Sequence, residues 1–532
     1  MKFIRFRHVL LTGIFLLAIG TTIMGCSKNH INQKNETLRI LSGSENKVLE
    51  PILEECEKET GVKVDMTYKG SVDIMQELDS GASEYDAIWP ASSIWISLGD
   101  SNHLVKHNES ISMSPVVFGI KKSLAEKYHF TDNQNVSVKN ILDLIREDKL
   151  TFCMTSATQS NSGASAYIGF LYALLQKKDA LTEADLDRPD LKRDISDLLE
   201  GVDRSSGSSD WLKDMFLEGN FDAMVNYEAL IIDANKELEK QGKEPLYVVY
   251  PYDGLSLADS PLGYVDHGNK SKEDAFLAVQ SYLLSEDAQQ QIEATGRRID
   301  TSGVSAKNSD TFRKEWGIDT TTVLSPITMP SEEVLKKALD LYQTSFRKPS
   351  LNVYCLDFSK SMEGEGNEQL LQAMSQILLQ ENAKKHLLQA KDDEVNIVIT
   401  FNQKVKNIYV AKSAKAKDLE LLYQKVEQEN VGGGTDMYTA IQTGMQKLAE
   451  SYNLEQYTPA IILMSDGESD TTCEADFFAT YEQLGLDVPV FSIMFGDANA
   501  EQLNNLAQCT NAKVFDGRED LIAAFKSVKG YN

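Results

Sequence analysis

The chain has 532 residues, enough for about three domains of ordinary size, and 42% of them are hydrophobic, enough to fill such cores. Lys and Arg number 53 against 80 Asp and Glu, a net charge of −27. That balance excludes nucleic acid as a partner, because phosphate binding needs a basic face; it reads instead as a solvated acidic surface.

Residues 1–25 read as a secretory signal. Lys2, Arg5 and Arg7 give a positive start, and residues 9–23 are an apolar stretch too short for a stable spanning helix. Ile23-Met24-Gly25-Cys26 resembles the lipobox of bacterial lipoproteins, with Met24 an unusual choice and small Gly25 a fitting one. The resemblance implies a lipid on Cys26 and a protein anchored at the extracytoplasmic face of the cell membrane. A disulfide is the alternative for Cys26. Residues 26–37 are polar and read as a tether. No second apolar segment of membrane length follows. Cys56, Cys153, Cys355, Cys473 and Cys509 are scattered without metal spacing; a Cys473–Cys509 bridge stays open.

Residues 38–41, 62–67 and 85–89 read as strands. The turns after them carry Ser42 and Ser44, Gly70-Ser71, and Ser92-Ser93, each opening a helix. This βαβαβ order predicts a parallel sheet with helices on both faces and a ligand outside the carboxyl ends of the strands. The pattern restarts at residues 115–120. A strand at 150–154 leads through Thr158-Gln-Ser160-Asn-Ser162-Gly163 into a helix over 164–175. A strand at 221–228 runs into another helix, and 261–264 is a strand leading back. The expectation is two α/β lobes over residues 38–325, joined by crossovers near Ser114 and Ser260.

The strand-then-serine loops, Ser114-Pro-Val-Val-Phe-Gly-Ile and Gly296-Arg297-Arg298 make this region similar to bacterial extracellular solute-binding proteins, the two-lobed kind that includes sulfate, molybdate and iron binders. The resemblance implies ligand contacts from Ser42, Ser44, Ser71, Ser92, Ser93, Ser114, Ser160, Ser162 and Tyr227. Free N–H groups at helix starts favour a small anion there. Lys47 and Lys69 are the nearest basic residues. The alternative is that each serine caps its helix, or that the cleft has become a scaffold.

Residues 326–350, with three prolines and a helical run over 332–342, read as an inter-domain linker. Residues 351–530 again alternate strands and helices, the pattern of a doubly wound, Rossmann-like sheet. Leu351-Asn-Val-Tyr-Cys-Leu-Asp-Phe-Ser-Lys-Ser361 is an apolar strand ending in Asp357, Ser359 and Ser361. Gly432-Gly-Gly-Thr435-Asp436 opens a helix, and Ile461-Ile-Leu-Met-Ser-Asp466-Gly467 is a second apolar strand ending in an acid. These are hard oxygen donors, which suit Mg²⁺ and not zinc.

Asp357, Ser359, Ser361, Thr435 and Asp466, in this order, resemble the metal-ion-dependent adhesion site of von Willebrand factor A domains. The resemblance implies a divalent cation, Mg²⁺ before Mn²⁺ or Ca²⁺, with one position open to an acidic side chain of a protein partner. The hydroxyls neutralise no charge, so the ion keeps its attraction for an outside carboxylate. The alternative is that Asp357, Ser359 and Thr435 only cap helices.

Catalytic signatures are missing. Gly163-Ala-Ser165 is not completed as a nucleophile elbow, and His103 and His107 lack the Glu of a zinc peptidase motif. The sequence therefore reads as a lipid-anchored surface binding protein and not an enzyme. Its last domain would dock a partner through a metal, and its two lobes would hold or sense a solute. The alternatives are the substrate-binding component of a membrane permease and, more remotely, a metal-dependent hydrolase.

Overall fold

The computed structural model describes residues 36–133, 135–301, 303–320, 324–411, 413–465, 469–495, 500–518 and 521–530. The signal, Cys26 and Asp466 lie outside the described residues. Among the described residues, no helix is long and apolar enough to cross a membrane.

The first lobe is a five-stranded sheet in the order β2-β1-β3-β11-β4. Here β1 is Thr37–Gly43, β2 Lys63–Lys69, β3 Ala87–Trp89, β4 Val105–Ser110 and β11 Pro261–Val265. β1, β2 and β3 run parallel, as the βαβαβ pattern predicts. β11 lies antiparallel between β3 and β4, so the sheet is mixed and not wholly parallel. β11 follows after the chain has left for the second lobe and returned, and its direction on re-entry is reversed.

The second lobe carries β5 (Ser114–Lys121), β6 (Phe152–Thr155), β7 (Val202–Ser206), β8 (Ala223–Tyr227), β9 (Leu246–Val249) and β10 (Ser256–Ala258). Its sheet runs β10-β5-β8-β6-β7, with β9 also paired to β5. The crossovers fall between β4 and β5 and between β10 and β11, where Ser114 and Ser260 were expected. A third strap joins them: Met113 and Arg298 exchange backbone hydrogen bonds of 2.6 and 2.9 Å. Arg298 then makes a two-armed contact with Glu228, both bonds 2.8 Å, in a fully buried pocket. Burial of that pair is tolerated because the fork matches the carboxylate.

The connector does not behave as a free linker. Helix Glu332–Leu341 puts Val334, Leu335, Ala338 and Leu339 into the core of the second lobe. The Tyr167 hydroxyl donates to the Ala338 carbonyl at 2.9 Å, and the Tyr167 and Tyr342 rings meet edge to face at 5.2 Å. The apolar residues at 334, 335, 338 and 339 follow helical spacing, which is why this face is buried.

The last domain is a six-stranded sheet, β14-β13-β12-β15-β16-β17. Its strands are β12 (Ser350–Asp357), β13 (Val395–Phe401), β14 (Val405–Val410), β15 (Thr458–Ser465), β16 (Val490–Met494) and β17 (Val514–Asp516). All pair parallel except β14, which returns antiparallel on the edge. β12 is buried at every residue. Alternate side chains of β12 feed two cores. Tyr354 and Leu356 meet helices Glu365–Leu378 and Ala416–Glu427 on one face. Val353 and Cys355 meet helices Met437–Ser451 and Ala500–Cys509 on the other. Helices on both faces of a parallel sheet give the doubly wound architecture. Cys473 and Cys509 are both free thiols, so no bridge joins them.

Candidate metal rim and inter-lobe cleft

From β12 the chain moves outward to β13 and β14, then crosses back to β15 on the other side of β12. The strand order therefore reverses at β12, and a crevice opens at the carboxyl ends there. Asp357 ends β12 in that crevice, fully buried. Its Oδ1 accepts from the Ser359 backbone N–H at 2.7 Å, and its Oδ2 from the Ser465 hydroxyl at 2.6 Å. Ser465 is the last residue of β15, so the first and second acidic strand ends are side by side. The Ser359 and Ser361 hydroxyls lie 3.0 Å apart.

The third loop is tied to the first through its backbone. Gly432 N–H donates to the Phe358 carbonyl at 2.9 Å, and Lys360 N–H to the Gly433 carbonyl at 3.0 Å. Gly433 has φ +93°, and a Cβ there would stand 1.8 Å from Gln403 Oε1. The left-handed φ favours glycine here, while the Gln403 side chain could swing aside. Thr435 is half-buried, and its carbonyl accepts from Asp470 N–H at 2.9 Å. Asp436, and not Thr435, caps the helix: its carboxylate accepts from Thr439 N–H at 3.0 Å. Asp357, Ser359, Ser361 and Thr435 thus share one rim. Asp466, next after Ser465, lies outside the described residues.

The donor chemistry fits a hard divalent ion. A buried carboxylate flanked by convergent hydroxyls offers oxygen alone. Among the described residues no group of three or more His, Cys, Asp or Glu gathers for a metal.

The two lobes touch at several points, beside a cavity of about 1040 Å³ lined by both. Trp95 Nε1 of the first lobe donates to Asn161 Oδ1 of the second at 2.7 Å, and the Ser44 hydroxyl donates to Ser208 at 3.2 Å. Val72 N–H donates to the Gln159 carbonyl at 3.3 Å. Gly70 is needed here, since a Cβ would stand 2.2 Å from that carbonyl.

Most of the serines singled out in the sequence are bonded to protein. Ser42 donates to the Gly43 and Trp89 carbonyls at 3.2 and 3.4 Å. The Ser71 hydroxyl accepts from Ala91 N–H at 3.1 Å, and Ser114 from Ala229 N–H at 3.3 Å. Ser160 and Ser162 form a hydroxyl cluster with Ser209, at 3.1 and 2.8 Å. Ser92 precedes helix Ser93–Gly99 without a side-chain cap bond, and Ser93 N–H donates to Asp259 at 2.8 Å. The Tyr227 hydroxyl accepts from Asn161 Nδ2 at 3.0 Å. Asn161 therefore joins Trp95 to Tyr227 across the lobes.

The side chains that sequence reasoning passed over are Glu45 and Asn46. They line a void of about 20 Å³ with Ser112, Ser114, Tyr227 and Arg297. Glu45 Oε1 and Asn46 Oδ1 are buried there without a hydrogen-bond partner. Loss of water pushes the Glu45 carboxyl up to about 7, against the pull of the Arg297 guanidinium. The same burial lowers Arg297 to about 10. Glu45 directly follows the Ser42–Ser44 loop, and Arg297 stands in the Gly296-Arg297-Arg298 run, so position in the chain was the available signal.

Residues 38–298 match the family model described as bacterial extracellular solute-binding protein. Residues 353–524 match the von Willebrand factor type A domain. The chain joins a solute-binding domain to a von Willebrand factor type A domain. Among solved structures, it is similar to a putative spermidine/putrescine ABC transporter from Listeria monocytogenes, at 15% identity and TM-score 0.44, covering 58% of this chain and 98% of that one. Maltose-bound MalE3 of T. maritima aligns at 14% identity and TM-score 0.42, covering 58% and 94%. A von Willebrand factor type A protein from Catenulispora acidiphila aligns at 16% identity and TM-score 0.29, covering 35% of this chain and 43% of that one. This chain thus spans under half the length of that last protein. No curated protein matches. The solute-binding family implies an extracytoplasmic protein.

The two domains pack together through the second lobe. Arg204, 7% exposed, donates from Nη2 to the Asn511 carbonyl at 3.0 Å and lies 3.5 Å from Asp487. Lys513 sits 6.0 Å over the Trp211 ring. The residues facing the lobe there, Thr458, Pro459, Asp487 and Pro489, precede or begin β15 and β16. They mark the amino ends of the strands, opposite the rim of Asp357.

Proposed function

We propose that this is a lipid-anchored bacterial surface binding protein whose von Willebrand factor A domain docks an acidic group of a protein partner through a divalent cation. The two-lobed domain holds or senses a small solute. The observation that carries the reading is the rim at the ends of β12 and β15, turned away from the solute-binding lobes. Asp357, Ser359, Ser361 and Thr435, with Asp466, would hold the ion. A cation bound there would supply a Lewis-acidic position for a partner carboxylate. The protein's own part is to fix the donors. Ser359 N–H and Ser465 hold the Asp357 carboxylate in one orientation, and the Phe358–Gly432 and Lys360–Gly433 bonds fix the distance between loops.

A second reading, delivery of solute to a membrane permease, is favoured by the hinged lobes and their cleft. The two readings separate in a capture experiment on the chain lacking residues 1–26. Under the docking reading, a captured partner is released by EDTA and is not retained by Asp357→Ala. Capture that survives both treatments contradicts it.

A further inference from the structure

The second-lobe loop at residues 156–161 has two sets of neighbours. From the first lobe, Val72 N–H donates to its Gln159 carbonyl at 3.3 Å, and Trp95 Nε1 to its Asn161 Oδ1 at 2.7 Å. Those bonds exist only while the lobes meet. The same loop is gripped by the end of the connector, which leaves helix Glu332–Leu341 through a single π-turn, Tyr342–Phe346. Such turns are rare and occur frequently at functional sites. The buried Tyr342 hydroxyl meets Ala157 N–H and the Ser156 and Ser205 hydroxyls. Gln343 Oε1 accepts from the Thr158 hydroxyl at 3.5 Å, and Gln343 Nε2 donates to the Gln389 carbonyl of the last domain at 2.8 Å. Gln389 Nε2 donates back to Asp340 at 3.1 Å. One residue past the π-turn, Arg347 pairs with the buried Glu394, which immediately precedes β13. Ser156, Thr158, Gln159, Tyr342, Gln343 and Gln389 are all buried, so a shift of the loop cannot exchange these bonds for water one at a time. Packed contacts of this kind change between discrete arrangements and do not bend smoothly.

We infer that the meeting of the lobes on the 156–161 loop is passed through the π-turn, by Tyr342 and Gln343, to Gln389 and the start of β13, so that lobe position is linked to the stability of the last domain. This deepens the reading of the two lobes as a solute sensor and rests on it. A solute that favours the joined lobes would then tighten the last domain, and by linkage a tighter last domain would favour the joined lobes. Gln343 acts here as a positioning residue: it touches the loop with one end of its amide and the last domain with the other.

The test locks the lobes without any solute or metal. Ser44→Cys with Ser208→Cys puts two thiols where the hydroxyls stand 3.2 Å apart, and dibromobimane bridges the pair where oxidation alone does not. Amide hydrogen exchange is compared in the locked and reduced full chain, with the parent chain treated alike as control. Locking should slow exchange several-fold at residues 156–161 and also at residues 388–396, which carry Gln389 and Glu394. Gln343→Met, which keeps the volume and removes both amide bonds, should abolish the second effect and keep the first. Slowing confined to the lobes overturns the link while keeping a moving cleft, and this arm needs no Gln343 variant to fold. Slowing at 388–396 that survives Gln343→Met places the link at the cavity wall, where Lys513 and Phe515 of the last domain stand, and overturns the π-turn route. No slowing at either place means lobes that never part, which overturns the sensor reading and the link together.

Discussion

At the scale of residues, the two sites are built by opposite means. At the rim, the Asp357 carboxylate is held by two donors, and its neighbours are hydroxyls. In the cleft, Glu45 has an oxygen that nothing in the protein satisfies. That difference has a pH consequence. Glu45 has a folded value of about 7, raised from 4.5 by burial, with Asp210 adding to the rise and Arg297 opposing it. Tyr227, whose hydroxyl is itself pushed far up, also faces the group. Because the native state holds this proton more tightly, the contribution to stability is full below the unfolded value and is lost as pH rises through about 7. Wild-type protein should therefore lose Tm relative to Glu45→Gln between pH 5 and pH 8. A Tm difference that is the same at both pH values would contradict a buried, ionising Glu45.

At the scale of elements, legibility follows burial. β12 and β15 are continuous apolar runs because both faces of the sheet are covered, and each was readable to within a residue or two. β4, with the sequence Val-Lys-His-Asn-Glu-Ser, is an exposed edge strand and carries no apolar alternation to read. β7, Val-Asp-Arg-Ser-Ser, escapes for a related reason: Arg204 and the serines are buried through hydrogen bonds and an ion pair, not through apolar side chains. Helix Glu474–Leu484 buries only Phe477, too little for a helical stripe. Asp357, Ser359, Ser361 and Thr435 could be singled out in the sequence because they stand at or soon after a strand end or before a helix. The Glu45–Asn46 pair could not, because orphaned acceptors are a property of packing. The same principle governs the connector. Leu335 is buried in the second lobe although it lies in a stretch that reads as linker. Leu335→Ala should cost about 2–5 kcal/mol, read as a fall in the denaturation midpoint. A change under about 0.5 kcal/mol, the range of exposed sites, would mean the helix is a detachable tether.

At the scale of the whole molecule, the chain places the inter-lobe cleft and the proposed cation rim on opposite sides of one interface. Arg204 and Lys513 join the amino ends of the last sheet to the second lobe. The rim consequently faces away from the lobes, the direction a surface-docked partner would approach from. The most direct test of the account is the thermal stability of the chain lacking residues 1–26, with Mg²⁺ against EDTA, in wild type and in Asp357→Ala. An ion at one hundred times its dissociation constant adds about 2.7 kcal/mol, so wild type should melt several degrees higher with Mg²⁺ and the variant should not respond. Equal responses in the two proteins, or no response in wild type to Mg²⁺, Mn²⁺ or Ca²⁺, would contradict a cation at this rim.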